Sequence, residues 1–195
     1  MKIINLFLLT FLPFLVSAQT ESEIRKHYQE VNKQITQSFE LGYEGPLYQN
    51  QLVVNKTGRS WPAVGIYADT TNFWYDDDPN HLSPSDRNPK IVLMKVTSSS
   101  RRAADVWTRD EYLYKNGALL FYYSYWGEED KANETRVYFN SRGLMIKSLV
   151  KINGKEITAK DMESGQYSDV KPVPISIIKA GKRYQDLFLR SMDAH

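Results

Sequence analysis

The stretch DVWTRDEYLYKNGALLFYYSYW, residues 105–126, contains the strongest short-range structural signal of this sequence. Two runs rich in aromatic and other strand-forming residues flank the dipeptide Asn116-Gly117. Asn-Gly favours a two-residue type I′ turn, because both residues tolerate a positive φ. The stretch therefore predicts a β-hairpin in which Lys115 lies opposite Ala118.

A regular hairpin with this turn has two sets of cross-strand pairs, one on each face. The first face carries Tyr112–Phe121, Asp110–Tyr123 and Thr108–Tyr125. The second face carries Leu113–Leu120, Glu111–Tyr122, Arg109–Ser124 and Trp107–Trp126. Side chains alternate across a strand, so Asp110 and Glu111 are expected on opposite faces. The same alternation predicts that Trp107, Tyr122 and Trp126 share a face. They are candidate residues of an aromatic ligand-binding surface, and ordinary core or loop cover is the alternative.

Composition indicates one folded domain and excludes several classes of protein. The chain of 195 residues is 42% hydrophobic and 25% charged, which is typical of a globular domain. The net charge is only +2 and the charges are interspersed, so the clustered basic footprint of a nucleic-acid-binding protein is missing. Without cysteine there is no disulfide framework, thiolate metal site or cysteine nucleophile.

The first twenty residues, MKIINLFLLTFLPFLVSAQT, have the pattern of a secretory signal peptide. An early Lys2 precedes an apolar run, and small residues end it at Ala18. We therefore predict a signal peptide over residues 1–18 and a single α+β domain over residues 19–195. An uncleaved membrane anchor is the alternative, although the apolar run is short and contains Pro13. The mature protein is expected in the periplasm or outside the cell, with no transmembrane segment.

Residues 21–39 have the periodicity of an amphipathic helix. Thr20 or Ser22 is the expected N-cap, with Glu23 completing a capping box from Thr20, and Gly42 is expected to end the helix. His27 is interpreted as a residue of the helix surface. The apolar stripe contains Ile24, Tyr28, Val31, Ile35 and Phe39.

The remaining chain has the alternating pattern of β-strands up to residue 158. Strands are predicted at residues 47–54, 63–68, 91–97, the two arms of the hairpin, 135–139, 144–152 and 155–158, and residues 70–75 extend or follow the strand 63–68. The polar segment 98–102 is interpreted as a charged turn, and residues 159–174 as a surface connection. A last helix begins at Pro174, or else a strand at 175–178 precedes a helix from Gly181.

These elements predict an α+β fold. The N-terminal amphipathic helix is expected to pack on an antiparallel, mostly meander sheet of about six to seven strands, with a helix at the C-terminus. Both faces of the hairpin carry bulky rings, so one face should meet the N-terminal helix. Loops, a partner or a ligand are expected to cover the other face.

No familiar catalytic motif is present. The three histidines, His27, His81 and His195, have neither zinc-ligand spacing nor an adjacent serine, and there is no G-x-S-x-G motif or phosphate-binding glycine loop. Asp110 and Glu111 lie mid-strand, where burial would raise their pKa values and suit acid–base catalysis.

Simpler structural roles are open to both carboxylates. Asp110 is then a hydrogen-bond partner of Tyr123, and Glu111 pairs with Arg109, Arg136 or a lysine on the next strand.

The loop DDDPNHLSPSDRNP, residues 76–89, is a candidate calcium site. Asp76, Asp78 and Asn80 have the alternating spacing of oxygen ligands in a calcium loop. An EF-hand also needs glycine at its sixth position and glutamate at its twelfth, where this loop has His81 and Arg87. A looser calcium site and a solvated acidic loop both remain open.

Several stretches together carry a resemblance to a class of bacterial exported proteins of similar length. They are WPAVGIYADTTNFWYDD, EYLYKNGALLFYY and RVYFNSRGLMIKSLV, which follow the signal peptide and the first helix. The resemblance implies a helix against an antiparallel sheet in the cell envelope, and it brings no activity with it. The leading hypothesis is a non-catalytic protein that binds a protein partner or a small ligand. An envelope hydrolase or other enzyme that uses acidic residues and a structural envelope component are the alternatives.

Overall fold

A single antiparallel sheet forms the centre of the protein, and one long helix packs on each of its faces. The computed structural model describes residues 20–62, 65–77, 91–102, 106–127 and 132–192. The predicted signal peptide therefore lies outside the described residues.

Three helices and ten strands follow one another along the described chain. The helices are α1 (Glu21–Leu41), α2 (Ala159–Glu163) and α3 (Pro174–Met192). The strands are β1 (Tyr48–Val54), β2 (Ser60–Trp61), β3 (Gly65–Ile66), β4 (Ala68–Asp77), β5 (Ile91–Arg102), β6 (Val106–Lys115), β7 (Ala118–Gly127), β8 (Asn133–Phe139), β9 (Met145–Ile152) and β10 (Lys155–Ile157).

The described part of the main sheet has eight strands in the order β1-β4-β5-β6-β7-β8-β9-β10, and every neighbouring pair is antiparallel. The short strands β2 and β3 belong to the chain segment that connects β1 to β4, and they pair with each other as a separate two-stranded sheet. The α+β prediction is confirmed, with more strands than we expected.

Helix α1 forms where the sequence pattern predicts it. The Thr20 hydroxyl accepts a bond from the Glu23 amide, and the Glu23 carboxylate accepts one from the Thr20 amide, so the predicted capping box is present. Gly42 ends the helix with a φ of 60°. Ile24 and Val31 are fully buried against the sheet. Their partners there are Leu113, Leu120, Phe121 and Tyr138.

Helix α3 covers the opposite face of the sheet, which corrects the expectation that loops, a partner or a ligand cover it. The helix is continuous through Gly181, so the alternative with a strand at residues 175–178 is wrong. A Cβ at Gly181 would lie 3.1 Å from Leu119 Cδ2, and the Tyr114 hydroxyl donates a bond to the Gly181 carbonyl at 2.8 Å. Glycine therefore permits the helix to approach the sheet closely. Phe188, the buried ring of this helix, packs on Phe73 and Tyr75.

The hairpin of β6 and β7 has the predicted turn but not the predicted register. Lys115 lies opposite Ala118, as expected, whereas Leu113 pairs with Phe121 because Leu120 is an extra residue in β7. Leu120 and Phe121 both pack on the α1 side of the sheet, which is the geometry of a β-bulge. Beyond the bulge every side chain of β7 therefore points to the face opposite to the predicted one.

Two further bulges lie at the same level of the sheet. The extra residues are Met94 in β5 and Ile146 in β9. Together with Leu120 they flank a row of paired residues that crosses six strands: Trp74, Lys95, Leu113, Phe121, Tyr138 and Lys147. Because bulges bend strands and increase their twist, a line of them bends the whole sheet at this level.

Three local predictions also need correction. The polar segment 98–102 continues β5, and its hydroxyl groups form hydrogen bonds with those of the neighbouring strands. Ser98 Oγ lies 3.2 Å from Thr71 Oγ1, and Ser100 Oγ lies 2.7 Å from Thr108 Oγ1. The predicted strand 63–68 is divided: Gly65–Ile66 form β3, which pairs with β2, and Ala68 begins β4, which contains the predicted strand 70–75. Residues 63–64 lie outside the described part. The predicted connection 159–174 contains α2, which has its own capping box between Thr158 and Asp161.

Candidate functional site

A cleft of about 660 Å³ opens between the flank of α1 and the strands β6, β7 and β8. We call it the α1 cleft. Helix α1 contributes Ile24, Arg25, Tyr28 and Gln29, and the sheet contributes Arg109, Glu111, Phe121, Tyr123, Tyr125, Arg136 and Tyr138.

The bulge at Leu120 decides which side chains of β7 line this cleft. With it, Tyr123 pairs with Glu111 and Tyr125 pairs with Arg109. Alternation along the strand then places both tyrosines on the α1 side. In a regular hairpin Tyr122 and Ser124 would occupy these places.

A buried ion pair adjoins the cleft, and its carboxylate, Glu111, is part of the cleft lining. Lys95 Nζ lies 2.6 Å from Glu111 Oε2, and the side chains are only 2% and 3% exposed. Arg109 binds the other carboxylate oxygen, Oε1, at 2.6 Å. Helix α1 joins this network twice: the Tyr28 hydroxyl donates to Glu111 Oε2 at 2.7 Å, and Asn32 Oδ1 accepts from Lys95 Nζ at 2.6 Å. The network thus connects α1 to both β5 and β6.

The surroundings of the buried pair favour the charged form of both members. Burial by itself raises the pKa of Glu111, but the Lys95 ammonium, the Tyr28 hydroxyl and the Arg109 guanidinium outweigh it and hold that pKa below its ordinary value. Burial lowers the pKa of Lys95, and Glu111 opposes this. The contacts of Lys95 are a carboxylate, an amide oxygen and the ring face of Tyr28, 4.5 Å away, all of which favour an ammonium ion.

Two further arginines stand at the rim of the α1 cleft. Arg25 Nη2 lies 2.7 Å from Glu21 Oε1, and the guanidinium carbon of Arg25 lies 5.6 Å from the centre of the Tyr138 ring. Arg136 pairs with Glu134 at 2.9 Å. Its guanidinium carbon lies 5.8 Å from the centre of the Tyr123 ring. The rim therefore combines cationic groups with flat aromatic surfaces.

The three predicted ligand-binding residues do not share a face. Trp126 pairs with Thr108 and lines a separate groove of about 350 Å³ beside α3, together with Tyr122. Trp107 lies on the α1 side, with the Arg101 guanidinium 5.4 Å from its ring centre. Both tryptophans are 50% exposed. The bulge separates them, so the expected common surface of Trp107, Tyr122 and Trp126 is wrong.

Asp110 and Glu111 lie on opposite faces, as predicted. Asp110 accepts a bond from the Tyr122 hydroxyl at 2.7 Å, whereas the regular register predicted Tyr123 as its partner. For Glu111 the predicted pairing with Arg109 is confirmed, whereas its lysine partner is Lys95 of the preceding strand β5. The two carboxylates therefore do not form a catalytic pair.

The candidate calcium loop lies mostly outside the described residues. Asp76 is exposed near the end of β4, whereas Asp78 and Asn80 are not described. Among the residues that are described, no group of three His, Cys, Asp or Glu side chains is placed to hold a metal ion.

Sequence reasoning missed the contribution of α1 and β5 to the site. Lys95 interrupts the apolar run IVLMKV, and a lysine inside such a run indicates a buried cation that needs a carboxylate. Tyr28 lies on the apolar stripe of α1, where its hydroxyl needs a polar partner on the sheet. His27 is also more than a surface residue, because its Nε2 donates to the Tyr114 carbonyl at 3.0 Å.

Comparisons of the chain with protein-family models, with curated proteins and with solved structures found no match. In the described part of the chain, no helix has the length and apolar character needed to cross a membrane.

Proposed function

We propose that this chain is an exported, non-catalytic protein that binds a small ligand in the α1 cleft. The observation that carries the proposal is the cleft itself. Its volume of about 660 Å³ lies within the range of small-molecule sites, roughly 300–1,000 Å³. Its walls combine apolar and aromatic side chains with a few polar and charged groups, as such sites do.

The attachment of α1 to the sheet beside the cleft supports binding. Tyr28 and Asn32 fix α1 to the Lys95–Glu111 pair. Tyr28 and Glu111, which line the cleft, therefore hold their positions without a ligand. A preformed site binds more tightly because less conformational entropy is lost on binding.

The state of Glu111 favours binding over acid–base catalysis. It is the carboxylate that lines the cleft, and both of its oxygens are engaged by cations. Its lowered pKa keeps it ionised at neutral pH, so it has no proton to give as a general acid.

Two adjacent residues of β7 provide a matched test. Tyr125 lines the α1 cleft, whereas Trp126 lines the groove beside α3. A fragment library is screened by ¹H–¹⁵N NMR against the wild type, and the hits are titrated into Tyr125→Ala and Trp126→Ala. We expect the shifts to centre on Tyr123 and Tyr125, and we expect Tyr125→Ala to weaken binding about tenfold or more while Trp126→Ala leaves it unchanged.

Thermal midpoints of the two variants provide the folding control. Hits that map to Tyr122 and Trp126 and lose affinity only in Trp126→Ala would place the site beside α3 and refute the proposal. A library of several hundred fragments without a hit at the α1 cleft would refute it as well.

Export has its own measurement. The protein is expressed in a bacterial host and recovered from the periplasm or the medium, and its intact mass is determined. We expect a mature chain that begins at Gln19, because the pattern of small residues ends at Ala18. Retention of the first 18 residues in the cytoplasmic fraction would refute this part.

A further inference from the structure

Positive charge is in excess around the α1 cleft. Within the described residues, the ion-pair networks that reach the cleft contain five cations and three carboxylates. The cations are Arg25, Lys95, Arg109, Arg136 and Lys147, and the carboxylates are Glu21, Glu111 and Glu134.

Two of these carboxylates are each shared between two cations. Glu111 binds Lys95 and Arg109, and Glu21 binds Arg25 and Lys147 at 2.8 Å. Each set of one carboxylate and two cations therefore keeps a net positive charge. In the set around Glu111 the accessible cation is Arg109, since its side chain is 57% exposed. A guanidinium has five N–H donors, so Arg109 retains donors for a second anion.

Each of the two tyrosines of the cleft has one arginine and one glutamate as direct cross-strand partners. Tyr125 lies between Arg109 and Glu134, and Tyr123 lies between Glu111 and Arg136. The Cβ atoms of such pairs are about 4.5–5.5 Å apart, so a ring stacked on either tyrosine lies within reach of an arginine. Arginine binds carboxylates through two parallel hydrogen bonds.

We propose that the ligand of the α1 cleft is a carboxylate attached to a flat ring. The ring stacks on Tyr123 or Tyr125, and the carboxylate accepts hydrogen bonds from Arg109, the exposed cation that binds Glu111. This inference rests on the proposed function, because it specifies the ligand of the same site.

Three indole probes share one ring and differ in charge: indole-3-acetate, indole-3-acetamide and tryptamine. Their dissociation constants are measured by ¹H–¹⁵N NMR titration of the full mature chain, with acetate alone as a fourth probe. We expect indole-3-acetate to bind at least about tenfold more tightly than the neutral amide, the contribution of one charge-assisted hydrogen bond. Tryptamine is expected to bind most weakly of the three, and acetate without a ring more weakly than indole-3-acetate.

Arg109→Gln should remove the preference for the anion, leaving indole-3-acetate and indole-3-acetamide within about twofold of each other. Arg59→Gln is the matched control, because it removes the same charge from an exposed turn away from the cleft. Arg25→Gln is the second variant at the rim, and a partial loss of the preference is expected. Glu111 keeps Lys95 in the Arg109 variant, so folding is retained, and a thermal midpoint checks this.

The failures of the two proposals are distinguishable. Equal affinity for the amide and the carboxylate, or an anion preference that survives Arg109→Gln, would refute the charged ligand and leave the binding function standing. Acetate binding as tightly as indole-3-acetate would refute the ring. Failure of all indole probes while fragments bind in the cleft would refute the ligand class, whereas failure of every fragment would refute the proposed function itself.

Discussion

The substitution Glu111→Gln tests the central electrostatic feature of this fold. Glutamine has nearly the same shape as glutamate, so packing is retained while the charge is lost. Lys95, which is 2% exposed, then keeps only an amide oxygen and a tyrosine ring as partners. An uncompensated ammonium ion would remain in the interior.

Two estimates of the cost agree. Removal of one member of a buried ion pair lowers the free energy of unfolding by about 3–5 kcal/mol. Lys95 has an alternative, because it can lose its proton, and its ordinary pKa is 10.5. Deprotonation at pH 7 costs about 5 kcal/mol, at 1.36 kcal/mol per pKa unit, which sets an upper bound on the penalty. We therefore expect a loss of about 3–5 kcal/mol at pH 7.

The pH dependence of this loss is a second signature. In the variant the folded-state pKa of Lys95 falls further below its unfolded-state value. A lowered lysine pKa costs stability at neutral pH, and the cost shrinks as the pH rises toward 10.5. The difference between wild type and variant should therefore decrease from pH 7 to pH 9.5, by at most about 1.4 kcal/mol per unit.

Urea unfolding followed by circular dichroism measures both effects. Glu21→Gln is the matched control, since Glu21 is also shared by two cations but lies at the surface, with 29% of its side chain exposed. Its loss should stay below about 1 kcal/mol. A loss in Glu111→Gln as small as that of the control, or one that does not shrink with rising pH, would refute the argument from burial.

Three further predictions concern the packing of α3 and the dependence of stability on pH. Gly181→Ala should lower the free energy of unfolding by about 1–3 kcal/mol, because the new methyl group would press against Leu119, although alanine favours helices. Lys182→Ala, at an exposed position of α3, is the control and should not lower it. Equal urea unfolding curves for the two variants would contradict the prediction. Stability of the wild type should fall below about pH 4.5, because Glu111 has a lowered folded-state pKa and its contribution disappears as it is protonated. Stability should also fall from pH 10 to 12. Burial and the nearby Glu111 charge raise the pKa of Tyr28 to about 12, so the unfolded chain loses the tyrosine proton at a lower pH than the folded protein does. Tyr28→Phe should weaken that alkaline dependence in thermal melts, and an unchanged profile would contradict the assignment.

Local interactions explain the predictions that the structure confirms. The turn at Asn116-Gly117 follows from φ values of 51° and 76°, which this dipeptide adopts more readily than most others. The caps of α1 depend on residues within four positions of one another. For Glu111, the expected cation partners follow from the general need of a buried carboxylate for opposite charge.

Long-range packing explains the predictions that failed. A bulge disrupts the local ladder, so no local pattern favours Leu120 as an extra residue. The stabilising contacts are with residues distant in the chain. Leu120 and Phe121 both pack on α1, and the Tyr114 hydroxyl donates a hydrogen bond to the Gly181 carbonyl of α3. The prediction of a regular hairpin therefore assigns the β7 side chains beyond Leu120 to the wrong face. It expects Tyr122 and Trp126 at the site, whereas Tyr123 and Tyr125 line the α1 cleft.

The sequence by itself determined the fold class, the helix caps and the hairpin turn, because each depends on neighbouring residues or on the period of the apolar pattern. Only the tertiary structure decided which face of the hairpin meets α1, that α3 covers the other face, and that Lys95 and Glu111 meet Tyr28 and Asn32. The residues 105–126 hold both kinds of information. Their turn is local, whereas the phase of their side chains depends on the two helices, since Leu120 and Phe121 pack on α1 and Leu119 packs on α3.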